Sequence, residues 1–204
     1  MIFMSRFVSL IVAVTLVPTT DLKADQHQFE FELCTLHEVA AKWRSQEEGT
    51  GIGTITYDTA QGTLSFALSV TGVFPEMLAS VGHHGGLGAI HIHNLPQGGP
   101  DFFVQHLPGE ISEQADGFDF TLADWVMENP GGGADVGADF VLFEMLSGNA
   151  FVGLHTHNMQ CANAEGRTIP CAAPATALSG QIVPKGYRAE SCSGTRTATA
   201  MLAQ

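Results

Sequence analysis

This sequence predicts an all-β domain, an antiparallel Greek-key sandwich or barrel carrying short helical insertions. Three observations predict it. Apolar and polar residues alternate with period two through the first third of the chain. Short β-rich runs follow one another across turns rich in glycine and proline, with 23 Gly and 9 Pro among 204 residues. Helical patterning is confined to the stretch between residues 121 and 146. Alternation of this kind places one strand face in a core and the other in water.

The elements follow in order. Over residues 28–33, Phe29, Phe31 and Leu33 share a face, with Glu30 and Glu32 on the other. Residues 51–58 form a β-rich run, and Asp58-Thr59-Ala60-Gln61-Gly62 reads as a turn into residues 63–70. There Leu64, Phe66, Leu68 and Val70 alternate with small residues, so the two runs make a hairpin with one buried face. Further strands are expected at residues 88–95, 102–107, 149–157 and 177–184. Thr121-Leu122-Ala123-Asp124 has capping-box character ahead of Trp125–Glu128, predicting a short helix that ends at Asn129-Pro130-Gly131. A second helix is expected over residues 135–146, closing at Ser147-Gly148-Asn149.

The amino terminus reads as an address. Arg6 precedes the apolar run Phe7–Val17, which Pro18 breaks; this is too short to span a bilayer and has the form of a secretory signal peptide. Cleavage after Ala24 leaves residues 25–204 as a single β domain, periplasmic or secreted, with no membrane attachment. An uncleaved anchor is the alternative. In an oxidising compartment the four cysteines are expected in disulfides, with Cys34–Cys192 and Cys161–Cys171 favoured among three pairings. No C-x-x-C spacing supports a dithiol oxidoreductase.

Charge narrows the function classes. Eight Lys and Arg face 21 Asp and Glu, for a formal net charge of −13, which argues against nucleic acid and anionic lipid as partners. With 45% hydrophobic and 14% charged residues, the chain has the composition of a folded domain. Histidine is unusually frequent, with nine copies. Two H-x-H pairs stand out, His91-Ile92-His93 and His155-Thr156-His157. On a strand, residues i and i+2 share a face, so each pair presents two imidazoles side by side. With Ile90, Ile92, Val152 and Leu154 taking the opposite face, both pairs project outward, exposed unless a loop covers them. If the strands are neighbours, four imidazoles meet on one patch. Imidazole nitrogens without thiolate suit transition metals rather than Ca or Mg, so copper is the expected ion and zinc the second choice. His83 and His84, in a glycine-rich loop, and His106, an extra ligand or a supporting partner, keep open roles. No G-x-S-x-G, H-E-x-x-H or Walker motif occurs.

The ordered segments Gly51-Ile52-Gly53-Thr54, Gly62-Thr63-Leu64, Ser69–Val73, Ala89-Ile90-His91-Ile92-His93, Gly153-Leu154-His155-Thr156 and Leu178-Ser179-Gly180-Gln181-Ile182 resemble the chordin-type (CHRD) domain over about residues 28–183. The resemblance implies an extracytoplasmic all-β domain whose molecular role is largely undefined. Carried over by position, it marks His91, His93 and His155; His157 is this chain's own addition. Ala177-Leu178-Ser179-Gly180 replaces the customary G-E-I-R-G strand. A second likeness, to copper–zinc superoxide dismutases, lies in an H-x-H copper pair on the outer wall of a barrel. Three readings therefore stand: a domain that stores, buffers or transfers copper; a dismutase-like redox enzyme, which the acidic charge disfavours because it opposes anion steering; and a protein-binding or adhesion module with structural histidines. A homodimer is compatible with all three.

Overall fold

Phe29, Phe31 and Leu33 do face the interior, and the strand carrying them sits near one edge of a six-stranded antiparallel sheet. The computed structural model describes residues 26–35, 48–79, 88–94, 104–127, 137–157, 160–162, 167–170, 176–187 and 192. The strands are β1 (Gln26–Leu33), β2 (Thr50–Asp58), β3 (Thr63–Thr71), β4 (Ile90–Asn94), β5 (Val104–His106) and β6 (Glu110–Gln114). After them come β7 (Gly117–Val126), β8 (Ala150–Leu154), β9 (Gln160–Ala162), β10 (Thr168–Pro170), β11 (Leu178–Gln181) and β12 (Val183–Pro184). The larger sheet has the order β12-β1-β2-β3-β7-β6 and the second the order β11-β8-β4-β5, while β9 and β10 pair as a separate hairpin.

The core lies between the two larger sheets. From the first it takes Phe31, Ile55, Leu64, Phe66, Leu68, Phe118 and Phe120; from the second, Ile90, Ile92, Val152, Leu154 and Leu178. Phe31 stands opposite Gly53, where a Cβ would collide with its ring, so glycine there lets the aromatic lie flat across the neighbouring strand. Phe31 also packs on Phe66, and Phe66 meets Phe120 edge to face at 5.6 Å. Ile182, fully buried, separates β11 from β12, and there the chain passes from one sheet to the other.

The helix expected at residues 121–128 is not formed. Residues 121–126 continue β7, because Phe118 and Phe120 bury against β3 and outweigh a local capping pattern. Asp124, with φ of 45°, instead marks an irregularity opposite Ser65: its N–H donates to Ser65 Oγ at 3.0 Å, and Ser65 Oγ–H donates to Asp124 Oδ1 at 3.3 Å. The second helix is present as α1, Ala138–Leu146, burying Val141 and Met145. It closes in a Schellman arrangement: Gly148, at φ of 70°, donates to the Met145 carbonyl, and Asn149 donates to Glu144. Among the described residues no helix is long and apolar enough to cross a membrane.

Cys34 and Cys192 form a disulfide. Cys34 also exchanges two backbone hydrogen bonds with Ser179 of β11, and these bonds join the end of β1 to the second sheet. Cys171 lies outside the described residues, as do residues 1–24 with the expected leader, and His83 and His84.

Candidate metal centre

The pattern His-Ile-His on β4 places Ile90 and Ile92 in the core and His91 and His93 on the opposite face. β8 lies antiparallel beside β4, with His91 opposite Gly153 and His93 opposite Phe151. By the same alternation Phe151, Gly153 and His155 belong to the histidine face. The outward direction inferred from the pattern is therefore present, but the rings are not exposed. His91 is 1%, His93 8% and His155 4% accessible. His93 is covered by Phe151, stacked at 5.1 Å and 13°, while His91 lies between His93 and His155.

Three imidazoles meet here. The Nε2 atoms of His91 and His155 are 3.1 Å apart, and their rings stack at 4.6 Å and 22°. The His93 ring stands 4.2 Å from that of His91, tilted by 69°. One ring nitrogen from each of the three histidines lies within 4.8 Å of the others, a group that can hold a metal ion. Two nitrogens bound to one ion at about 2.0–2.1 Å stand about 2.8–3.4 Å apart for angles between square and tetrahedral, which brackets the observed separation. His93 Nδ1 is buried without a hydrogen-bond partner, an uncompensated polar atom of the kind that marks a ligand site.

The surroundings favour bare, neutral nitrogens. His91 Nδ1–H donates to the Gly88 carbonyl at 3.1 Å; because a carbonyl only accepts, the proton of neutral His91 sits on Nδ1 and its Nε2 lone pair faces His155 Nε2. Gly88 is held in turn by its own N–H, which donates to His106 Nδ1 at 3.0 Å. His106 stands opposite His91 in the β4–β5 pairing, so its contribution is to fix the residue that orients His91. Burial, then the nearby His155 and His106 rings, push the His91 pKa down to about 3 against the opposing pull of the Gly88 hydrogen bond. Burial followed by His91 and His155 holds His93 well below the ordinary histidine value. Gly153 opens the space beside the rings: a Cβ there would lie 3.6 Å from Nε2 of both His93 and His155.

Of the four histidines singled out in the sequence, the structure gathers His91, His93 and His155. His157 is exposed and lies outside that group. β8 ends at Leu154, and the chain then pairs with the segment following a 3-10 turn at Pro75–Met77. His155 O accepts from Ala79, and His157 N–H donates to Met77 O. This pairing redirects the backbone after His155, so the expected uninterrupted strand over residues 149–157 does not form. Gly88, Gly153 and the covering Phe151 carry no metal-binding side chain; the β4–β8 register sets Gly153 and Phe151 opposite the histidines, and hydrogen bonds to His91 and His106 place Gly88.

Fold and site together define a two-sheet antiparallel sandwich with a buried trihistidine group on the outer side of its smaller sheet. The family model described as the CHRD domain matches residues 29–160, and the chain belongs to that family. No curated protein and no solved structure matches it.

Proposed function

We propose that this chain is an exported CHRD-domain protein that binds a copper ion through His91, His93 and His155 and serves to store, buffer or pass on that metal. One observation carries the reading: the two Nε2 atoms at 3.1 Å inside a buried group of three imidazoles. Burial crowds three rings that gain nothing from each other as cations, and an ion shared by their lone pairs offsets that crowding. Nitrogen donors select a transition metal, and copper heads the divalent affinity order, with zinc next in line. The disulfide supports an oxidising compartment, in keeping with a leader at residues 1–24. Near-complete burial of the rings and the acidic charge of the chain favour holding an ion over turning over a soluble anion.

The test is metal stoichiometry. Apo-protein equilibrated with copper and freed of excess is expected to retain about one ion per chain, and His91→Ala with His155→Ala to retain none. Unchanged copper content in a folded double variant refutes the ligand assignment.

A further inference from the structure

Resting on the metal-binding reading above, we infer that the trihistidine centre is selective for the cuprous ion, Cu(I), over Cu(II) and Zn(II). Two features of the centre lead there. The first is charge. The group contains three neutral donors, and among the described residues no carboxylate or thiolate belongs to it. All three rings are buried, and Phe151 forms an apolar wall on His93. A divalent ion therefore keeps its whole double charge in a poorly solvated site. The cost of transferring an ion from water rises with the square of its charge, about fourfold from +1 to +2. Nearby negative charge normally offsets that cost, and this group supplies none.

The second feature is donor number. Zn(II) favours four tetrahedral ligands and Cu(II) a tetragonal set of four or more. On three imidazoles, Zn(II) and Cu(II) must therefore recruit a water or another further donor, whereas Cu(I) is content with three. The rings of His91, His93 and His155 supply three, tilted against one another by 22°, 57° and 69° rather than lying in a common plane. An apolar surround of this sort raises the potential of a bound metal by disfavouring its more highly charged state.

The experiment uses the whole folded protein. Anaerobic competition against a colorimetric Cu(I) chelator is set beside Cu(II) and Zn(II) titrations, and the potential of bound copper is measured. We expect Cu(I) to bind at least a hundredfold more tightly than Cu(II), which raises the couple by about 120 mV over aqueous copper at 59 mV per tenfold. His93→Phe, which keeps a ring against Phe151, serves beside His91→Ala/His155→Ala because it opens no cavity; it should weaken Cu(I) binding by about a hundredfold and the double variant should abolish it. Equal or tighter binding of Cu(II) or Zn(II) through the same histidines overturns this inference and leaves the metal-binding function standing. Failure of all three ions to bind overturns both. Cu(I) binding that survives both variants also overturns the inference, because the ion then sits elsewhere.

Discussion

His91 and His155 are 64 residues apart in sequence, yet their Nε2 atoms stand 3.1 Å from each other in the protein interior. The contact depends on the β4–β8 pairing, which sets His91 opposite Gly153 and brings the residue two places further along against it. Such an approach has two physical explanations, a shared proton or a shared ion. A ring nitrogen of His93, completing a group whose ligand atoms lie within 4.8 Å of one another, favours the ion.

Gly153 offers a test that leaves every ligand in place. In Gly153→Ala the new methyl makes ordinary van der Waals contact, 3.4 Å from His93 Cδ2, so the fold should survive with little change in Tm. It occupies space beside the Nε2 atoms of His93 and His155, and copper affinity should fall by about tenfold or more, ~1.4 kcal/mol. Competition against a chelator of known affinity measures it. Wild-type affinity in a folded variant would show that the ion does not approach along this side.

His106 should act through Gly88. His106→Leu removes the acceptor for the Gly88 N–H and loosens the carbonyl that orients His91. The expected cost is about 1 kcal/mol in stability and about 10- to 100-fold in metal affinity. His106→Asn, whose Oδ1 can accept in place of Nδ1, should recover most of both. Visible and EPR spectra of the Cu(II)-loaded variants separate an orienting role from a purely structural one, since only the former alters the ligand field of a normally folded variant.

Acid should destabilise the apo-protein in a defined window. Below the ordinary value of 6.5 the unfolded chain protonates His91, whereas the folded chain leaves it neutral down to about 3. The unfolded state therefore binds more protons between these limits, so stability falls as pH falls from 6.5 toward 3, by roughly 1 kcal/mol per pH unit for each such ring. His93, lowered in the same direction, adds to the slope below 6.5. Denaturant midpoints across this range measure the effect, and His93→Phe should flatten it. Above pH 6.5 neither ring carries a proton for the metal to displace, so neither contributes a pH dependence to metal affinity there.

Reduction of Cys34–Cys192 removes a cross-link spanning 158 residues of sequence. Loop entropy puts the loss at up to about 5 kcal/mol. Because Cys34 bonds to Ser179, and Ser179 stands opposite Gly153 in the β8–β11 pairing, the loss should reach the metal centre as well. Cys192→Ser is expected to lower Tm and weaken copper retention together; a lowered Tm with unchanged copper affinity would separate the two.

Most of the fold was legible because alternation was strong. Phe29, Phe31, Leu33, Leu64, Phe66, Leu68 and Val70 are all buried as their spacing implies. β6 carries no signal of alternation, because Glu110–Gln114 is exposed throughout and has no apolar face. At residues 121–126 the local capping pattern pointed to helix, and only pairing with β3 decides for strand. The H-x-H motifs were legible as side-by-side imidazoles, and three of the pairs' four members meet in the buried group. Its burial was not, since Phe151 on His93 and Gly88 on His91 are set by tertiary contacts. His157 looked equivalent to His155 by spacing, but the strand ends one residue before His155 and equivalence ends with it.

X-ray absorption at the copper edge of the stoichiometrically loaded protein, compared between wild type and His93→Phe, tests the central claim most directly. The expected wild-type result is three imidazole nitrogens at about 2 Å from copper, with one lost in the variant. A spectrum dominated by oxygen or sulfur donors, or one that the substitution leaves unchanged, contradicts the trihistidine centre.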